Sequence, residues 1–253
     1  MSLPDYIIAG AQKCGTTSLY HYLTDNRYIV PAKKKEVHFF DWNYRKGTSW
    51  YTDQFPLPLK RKKRGFITGE ASPYYLFHPH AAKRAFDTVP GAKIIVLLRN
   101  PVDRAYSHYN HQVRRGKENL SFEEAIEKEG ARLRMERRKM LRNPNYNSQT
   151  YWRYSYLARG IYVDQLERWM KYFPRKQMLI IRSEDFYKNT GSTLRKVTGF
   201  LGVPDSSPKT TNPYKSGSYE PMNPDTRQLL INYFRPHNRR LYQKLNVDFG
   251  WDQ

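Results

Sequence analysis

The sequence predicts an α/β fold with a P-loop-like, doubly wound and mainly parallel central sheet flanked by helices. Short apolar runs recur without polar alternation, which is typical of strands buried on both faces of a parallel sheet. Segments with helical periodicity lie between these runs, and this alternation requires right-handed crossovers. The length suits one such domain, so residues 1–253 are predicted to form a single domain.

The predicted elements follow one another in a strand–helix order. The strands are bounded by turn-forming residues and are Tyr6–Ala9, Phe66–Thr68, Lys93–Leu98 and Met178–Ile181. The helices are Thr16–Leu23, Val102–Arg115, Phe122–Leu141, Val163–Tyr172, Thr193–Leu201 and roughly Asp225–Leu245. The segment Asp205–Pro224 is rich in Pro, Ser, Asn and Gly and is predicted to be a long loop. Ligands of doubly wound sheets bind at the carboxyl ends of the strands, so functional residues are expected there.

The charge of the chain predicts an anionic partner. It carries 44 basic and 23 acidic residues, a net charge of +21, which suits nucleic acid, acidic polysaccharide, a nucleotide or a membrane surface. A single cysteine excludes an internal disulfide and is consistent with a reducing compartment. No apolar run approaches the ~20 residues of a membrane span, and no signal peptide is evident. These features predict a cytoplasmic protein without a membrane span.

Two stretches concentrate the positive charge. Lys60–Arg64 is a run of five cations, and Ala131–Arg142 carries six basic residues against one glutamate. Each stretch is explained either by a solvated surface or by a surface that binds an anionic acceptor.

An anion-binding loop is predicted between the first strand and the first helix. Gly10 and Gly15 flank Lys13, so backbone N–H groups, a helix N-terminus and an ammonium converge on one point. This arrangement suits a phosphate or a sulfate. In a Walker A loop the lysine follows the second glycine, whereas here Gly15 is followed by Thr16. The loop therefore differs from that of the nucleoside triphosphatases.

A second anion site is predicted where the third strand ends. Arg99 follows a buried apolar run, Asn100 is a favourable N-cap and Pro101 a favourable first helical residue. Arg99 is therefore expected beside a helix N-terminus, where a second phosphate could bind. Ser107 lies three residues after Arg104 and shares its helix face. The alternative is that Arg99 only pairs with a neighbouring carboxylate.

A candidate proton acceptor lies in the segment Lys33–Asp41. In an extended segment, Glu36 and His38 would point to the same side. A carboxylate among lysines and near a bound anion is well placed to take a proton from a hydroxyl or an amine. The alternative is that Glu36 forms an ordinary ion pair and His38 packs in the interior.

The three motifs around Lys13, Glu36 and Arg99 resemble those of the sulfotransferases that use 3′-phosphoadenosine 5′-phosphosulfate. Three later segments share this resemblance: Gly160-Ile161-Tyr162, Leu166-Glu167-Arg168-Trp169 and Phe200-Leu201-Gly202. The sequence is most similar to the heparan sulfate sulfotransferase branch and its bacterial relatives. The resemblance covers most of the chain in the same order. It implies a sulfotransferase that moves a sulfonate group from this nucleotide to a hydroxyl or an amine. The resemblance and the cationic surface together favour a carbohydrate acceptor, and no nucleic acid partner is expected. No metal is expected either, since the sequence has no metal-ligand spacing.

The resemblance also implies roles for individual residues. The loop that binds the 5′-phosphosulfate corresponds to Lys13, Cys14, Gly15, Thr16, Thr17 and Ser18. The pair that binds the 3′-phosphate corresponds to Arg99 and Ser107, and a loop over the same nucleotide corresponds to Lys215, Ser216, Gly217 and Ser218. The catalytic base corresponds to Glu36, with His38 beside it and Lys13 stabilising the departing phosphate.

Two departures from the heparan-type pattern leave other acceptors open. Ala71 stands where those relatives often have lysine, and one cysteine cannot form their late disulfide. Polyketide, lipid and other small-molecule hydroxyls therefore remain alternatives. Two other classes are a small-molecule kinase, which would need the Walker lysine, and a non-enzymatic nucleic-acid-binding protein, which would leave both anion sites unexplained.

Overall fold

The computed structural model describes residues 3–56, 65–205 and 219–252. The basic stretch Lys60–Arg64 and the predicted nucleotide loop Lys215–Ser218 lie outside the described residues. Backbone proximity divides the chain into two compact units. The first unit runs up to Leu98 and resumes at Arg168, and the second contains Arg99–Glu167 and the C-terminal residues.

The first unit contains a five-stranded parallel sheet. Its strands are β1 (Tyr6–Gly10), β2 (Ile29–Pro31), β3 (Ile67–Ala71), β4 (Lys93–Leu98) and β5 (Met178–Arg182). They are arranged in the order β2-β3-β1-β4-β5, and every described pair is parallel. The central strand β1 is buried along its whole length, as the apolar sequence requires. This confirms the predicted α/β fold with a mainly parallel central sheet.

Helices connect the strands. In the described ranges the α-helices are α1 (Thr16–Thr24), α2 (Gly47–Thr52), α3 (Ala81–Thr88), α4 (Pro101–Arg114), α5 (Phe122–Glu127), α6 (Glu129–Arg142), α7 (Gln149–Tyr154), α8 (Tyr162–Met170), α9 (Ser183–Lys188), α10 (Thr190–Leu201) and α11 (Pro224–Leu245). Within the described residues, none of these helices is long and apolar enough to cross a membrane.

Several predicted boundaries are wrong by one to three residues. Helix α10 begins at Thr190 and not at Thr193, and α8 is Tyr162–Met170 and not Val163–Tyr172. The predicted strand Phe66–Thr68 instead begins at Ile67 and continues to Ala71, because residues 69–71 pair with the central strand β1. The predicted helix Phe122–Leu141 is two helices that meet at Lys128. The second begins at Glu129, whose buried carboxylate accepts hydrogen bonds from two backbone N–H groups further along the chain.

The second unit has a hydrophobic core of its own. Residues from α4, α5 and α11 form it with one tyrosine: Val102, Ala105, Phe122, Ala125, Tyr156, Leu230, Ile231 and Phe234. Gly160 allows close packing, because a Cβ atom there would lie 2.6 Å from the Phe234 ring and 3.0 Å from Pro101. Arg104 is fully buried and donates a hydrogen bond to the Tyr156 carbonyl, so it serves the interior of this unit.

Candidate active site

The loop between β1 and α1 has the backbone of an anion-binding turn. Gly15 precedes α1 with φ 89°, in the left-handed region that favours glycine, and Lys13 has φ 71°. A Cβ atom on Gly15 would also lie 2.7 Å from the hydroxyl of Tyr187, but that side chain is exposed and can move, so it is the conformation that requires glycine. Helix α1 has no side-chain cap and no acidic residue in its first turn. Its positive end is therefore chemically suited to an anion.

Neighbouring strands hold this loop in place. The N–H of Ala11 donates to the Leu97 carbonyl at 2.7 Å, which fixes the end of β1 against β4. The hydroxyl of Ser183, just after β5, donates to the Cys14 carbonyl at 2.6 Å. The Cys14 side chain is buried, and its N–H donates to the Ala11 carbonyl at 3.2 Å. The loop conformation thus depends on contacts with two other parts of the first unit.

A row of charged side chains begins at this loop. The Lys35 ammonium lies 3.2 Å from the Thr17 hydroxyl and 3.3 Å from a carboxylate oxygen of Glu36. The other oxygen of Glu36 lies 2.9 Å from Nε2 of His38, and Nδ1 of His38 lies 2.7 Å from the Asp41 carboxylate. We call Lys35, Glu36, His38 and Asp41 the charged row. It places a carboxylate next to the anion-binding loop within one unit.

The predicted extended conformation of this segment is wrong. The backbone is irregular up to His38, which has φ 54°, and a π-helix follows over Phe39–Asn43. The side chains of Glu36 and His38 still meet, but they do so through a turn of the backbone and not through the alternation of a strand.

Hydrogen bonds set the protonation of the charged row. Burial alone would raise the pKa of Glu36, but the hydrogen bond from His38 and the charge of Lys35 bring it below its usual range. Burial lowers the pKa of His38, whereas its hydrogen bonds to Asp41 and Glu36 raise it, on balance to about 10. Near neutral pH, Glu36 is therefore ionised and His38 is a cation that donates from both nitrogens.

A buried carboxyl group lies behind the charged row. Glu70 is 1% exposed and accepts hydrogen bonds from Tyr51 at 2.6 Å, Ser72 at 2.7 Å and Tyr75 at 3.1 Å. Burial raises its pKa to about 7, although the three hydroxyl groups oppose the shift. Sequence reasoning did not select Glu70 as a site residue. The available signal was an acidic residue two positions after the end of the predicted strand Phe66–Thr68.

The second predicted anion site belongs to the second unit. Asn100 caps α4 as predicted, since its side chain accepts a hydrogen bond from the N–H of Val102 at 3.0 Å. The carbonyl of Arg99 accepts a hydrogen bond from the Tyr162 hydroxyl at 2.8 Å, and Ser107 is buried on α4. Lys13 lies in the first unit, so the convergence of Lys13 and Arg99 on one nucleotide stays a prediction.

Three residues that shape the site were not selected from the sequence. Asp41 and Lys35 complete the charged row, and Ser183 fixes the loop. Asp41 and Lys35 are close to Glu36 in sequence and could have been found as charged neighbours. Ser183 is 169 residues from Cys14, and no local pattern indicates that contact.

The chain is similar in sequence to known sulfotransferases. A family model described as the sulfotransferase domain matches residues 3–233. The membrane-associated sulfotransferase kil1 of Dictyostelium discoideum is 30% identical over 99% of this chain and 67% of its own length. The human bifunctional heparan sulfate N-deacetylase/N-sulfotransferase 3 is 33% identical over 96% of this chain and 30% of its own length. The mouse heparan sulfate glucosamine 3-O-sulfotransferase 3B1 is 30% identical over 99% of this chain.

The chain spans only part of these curated relatives, from 30% of the bifunctional human protein to 67% of kil1. A solved structure, a sulfotransferase from Alicyclobacillus acidocaldarius, matches over the full length of both chains. Its sequence is 35% identical and its TM-score is 0.78.

Proposed function

The chain belongs to the sulfotransferase domain family, and on this premise we propose that it transfers sulfonate from 3′-phosphoadenosine 5′-phosphosulfate to a carbohydrate hydroxyl or amine. The observation that carries the proposal is the position of Lys35. Its ammonium contacts both Thr17 of the anion-binding loop and the carboxylate of Glu36. A site for an anionic donor and a proton acceptor therefore adjoin in the first unit.

The loop residues are chemically suited to the 5′-phosphosulfate of the donor. Lys13 and the uncapped start of α1 would supply positive charge, and the hydroxyl groups of Thr16, Thr17 and Ser18 would supply hydrogen bonds. Gly15 would allow the left-handed turn that starts α1. Cys14 would contribute through the loop conformation, because its thiol is buried and its N–H is already bonded.

The 3′-phosphate of the donor is assigned to the second unit in this proposal. Arg99 follows β4 directly and precedes α4, whose first turn is capped by Asn100 and contains Asp103, so the guanidinium of Arg99 would supply the positive charge for the phosphate. Ser107 would provide a hydroxyl from the same helix. The segment Lys215–Ser218 would complete the nucleotide site and lies outside the described residues.

The proposed reaction is a direct displacement at sulfur. The acceptor oxygen or nitrogen attacks the sulfur, the bond between sulfur and the phosphate oxygen breaks, and the acceptor proton passes to Glu36. Lys13 stabilises the charge that develops on the departing phosphate. His38 is already a cation, so it orients Glu36 and does not compete for the proton. Positioning and electrostatics should therefore provide most of the rate enhancement.

A carbohydrate acceptor is supported by two relatives named for heparan sulfate and by the net charge of +21. A polyketide, lipid or other small-molecule hydroxyl is the alternative, favoured by Ala71 at a position where the heparan-type pattern has lysine. We also propose a cytoplasmic location, on the basis of the single cysteine.

The test is incubation of the protein with radiolabelled donor and a panel of acceptors. The panel contains completely desulfated heparin, which offers hydroxyls and amines, together with a long-chain alcohol and 4-nitrophenol. Transfer to the heparin derivative that is abolished in Lys13→Ala supports the proposal, and transfer only to a small alcohol supports the alternative. If no acceptor is labelled and the protein hydrolyses ATP with magnesium, the hypothesis of a small-molecule kinase replaces that of a sulfotransferase. Salt-dependent binding of nucleic acid without sulfonate transfer would favour a non-enzymatic nucleic-acid-binding protein.

A further inference from the structure

The buried carboxyl group of Glu70 takes no part in the proposed reaction. It lies in β3, is 1% exposed, and has no contact with the anion-binding loop among the described hydrogen bonds. A charged group is expensive to bury unless its partners compensate. Glu70 has three such partners, the hydroxyl groups of Tyr51, Ser72 and Tyr75.

Two of these hydroxyl groups also hold the backbone of the charged row. The Ser72 oxygen accepts a hydrogen bond from the N–H of His38 at 3.0 Å. The Tyr75 oxygen accepts one from the N–H of the next residue, Phe39, at 2.6 Å. Two consecutive backbone N–H groups are thus connected to one carboxylate through two different side chains.

The direction of these bonds follows from the number of protons. An ionised carboxylate has no proton to donate, so Ser72 and Tyr75 donate their hydroxyl protons to Glu70. Each hydroxyl oxygen also accepts a hydrogen bond from a backbone N–H. Hydrogen bonds in such a chain polarise one another, so the carboxylate strengthens the hydrogen bonds that the two hydroxyl oxygens accept from the backbone.

The backbone needs this support at His38. Its φ of 54° lies in the left-handed region, which costs a residue other than glycine roughly 1–2 kcal/mol, so hydrogen bonds to this backbone help to maintain it. That conformation directs the imidazole so that Nε2 reaches Glu36 at 2.9 Å and Nδ1 reaches Asp41 at 2.7 Å.

We propose that Glu70 is a positioning residue for the base Glu36, acting through the hydroxyl groups of Ser72 and Tyr75 on the backbone of His38 and Phe39. This inference rests on the proposed function, because it assumes that Glu36 accepts the proton. Glu70 itself touches neither the base nor the loop. Its effect on the reaction is to keep the charged row in one geometry.

Tyr51 provides a matched control. Its hydroxyl donates to the same carboxylate at 2.6 Å but accepts no described hydrogen bond from the charged row. Its ring stacks on Phe39 with centroids 4.3 Å apart, and phenylalanine would keep that contact. Tyr51→Phe and Tyr75→Phe therefore remove the same atom from the same carboxylate, and only Tyr75→Phe breaks a link to the backbone.

The experiment compares Ser72→Ala, Tyr75→Phe and Tyr51→Phe with the wild type, using the panel acceptor that the wild type labels fastest. Ser72→Ala and Tyr75→Phe should each lower kcat about 10- to 100-fold, the usual cost of a misplaced catalytic group. Tyr51→Phe should lower kcat less than either of them, since both links to the backbone remain. The comparison is made at a pH well above 7, because the pKa of Glu70 is about 7 and loss of the Tyr51 hydrogen bond would raise it further. The dissociation constant of 3′-phosphoadenosine 5′-phosphate should stay within about twofold of wild type in all three, because the loop is not involved.

The pH dependence of kcat gives a second readout. Glu36 faces Lys35 and His38, and His38 faces Asp41, so a looser row weakens the bonds that lower the pKa of Glu36. The acid limb of the kcat profile should therefore move to higher pH in Ser72→Ala and Tyr75→Phe but not in Tyr51→Phe.

Different results would contradict the positioning role of Glu70 and the proposed sulfonate transfer with Glu36 as base. If all three variants lower kcat equally, with equal melting temperatures and unchanged acid limbs, Glu70 has only a structural role. If the wild type labels no acceptor, or Glu36→Gln keeps full turnover, the proposed function or the assigned base is wrong and the positioning role falls with it.

Discussion

Replacing Glu36 by glutamine is the most direct test of the proposed chemistry. The carboxylate receives Lys35 on one oxygen at 3.3 Å and His38 on the other at 2.9 Å. Glutamine keeps the shape but has one acceptor oxygen, so its amide nitrogen must face one of these two donors. It also cannot take a proton near neutral pH. Loss of a general base typically lowers kcat about 10²–10⁴-fold, or about 3–5 kcal/mol of activation free energy.

The donor should still bind to Glu36→Gln. The substitution leaves the anion-binding loop intact and frees Lys35 from its carboxylate partner, so the positive charge near Thr17 is preserved. Calorimetric titration with 3′-phosphoadenosine 5′-phosphate should give a dissociation constant within about threefold of wild type, while label transfer is measured in parallel. Asp87→Asn is the control, since Asp87 forms an exposed pair with Lys83 on α3. Full turnover in Glu36→Gln would refute the assignment of the base.

Four further outcomes are expected. Lys13→Ala should lower kcat and also weaken donor binding, and a change in only one of the two would contradict its double role. Arg99→Ala should mainly raise the dissociation constant of the donor product, and an unchanged constant would remove the 3′-phosphate assignment. Gly15→Ala should lower the free energy of unfolding in urea by about 1–2 kcal/mol, since φ at this position is 89°. The pKa of His38 is raised to about 10, so protonated His38 stabilises the folded state. This stabilisation is complete below the usual pKa of histidine and is lost as the pH rises through 10. Wild type should therefore lose more stability than His38→Gln over that alkaline range, and equal losses would contradict the raised pKa.

The fold could be predicted where local sequence decides the structure. Strand β4 begins and ends where it was predicted, at Lys93 and Leu98, because it is a continuous apolar run. Strand β2 was not predicted, since it has three residues and ends in Pro31. The break between α5 and α6 at Lys128 was not visible either, because lysine and glutamate are good helix formers. There the long-range bonds of Glu129 override the local preference.

The same distinction applies to the site. The turn between β1 and α1 could be predicted because the spacing of Gly10, Lys13 and Gly15 is local and has a direct geometric meaning, whereas its binding of an anion stays a prediction. The support from Glu70 could not, because Ser72 and His38 are 34 residues apart and meet only in the folded sheet. The sequence shows which groups can perform chemistry, whereas the network that orients them depends on tertiary packing.

Protonation and exposure together decide which member of the charged row can act as the base. His38 is 22% exposed, but its raised pKa keeps it protonated near neutral pH, so it has no free nitrogen for a proton. Asp41 accepts from His38 but its side chain has no exposed surface, so an acceptor molecule cannot reach it. Glu36 is 34% exposed, and its lowered pKa keeps it ionised. Of the row, it alone combines a free lone pair with access from solvent, and His38 and Asp41 are arranged to preserve that state.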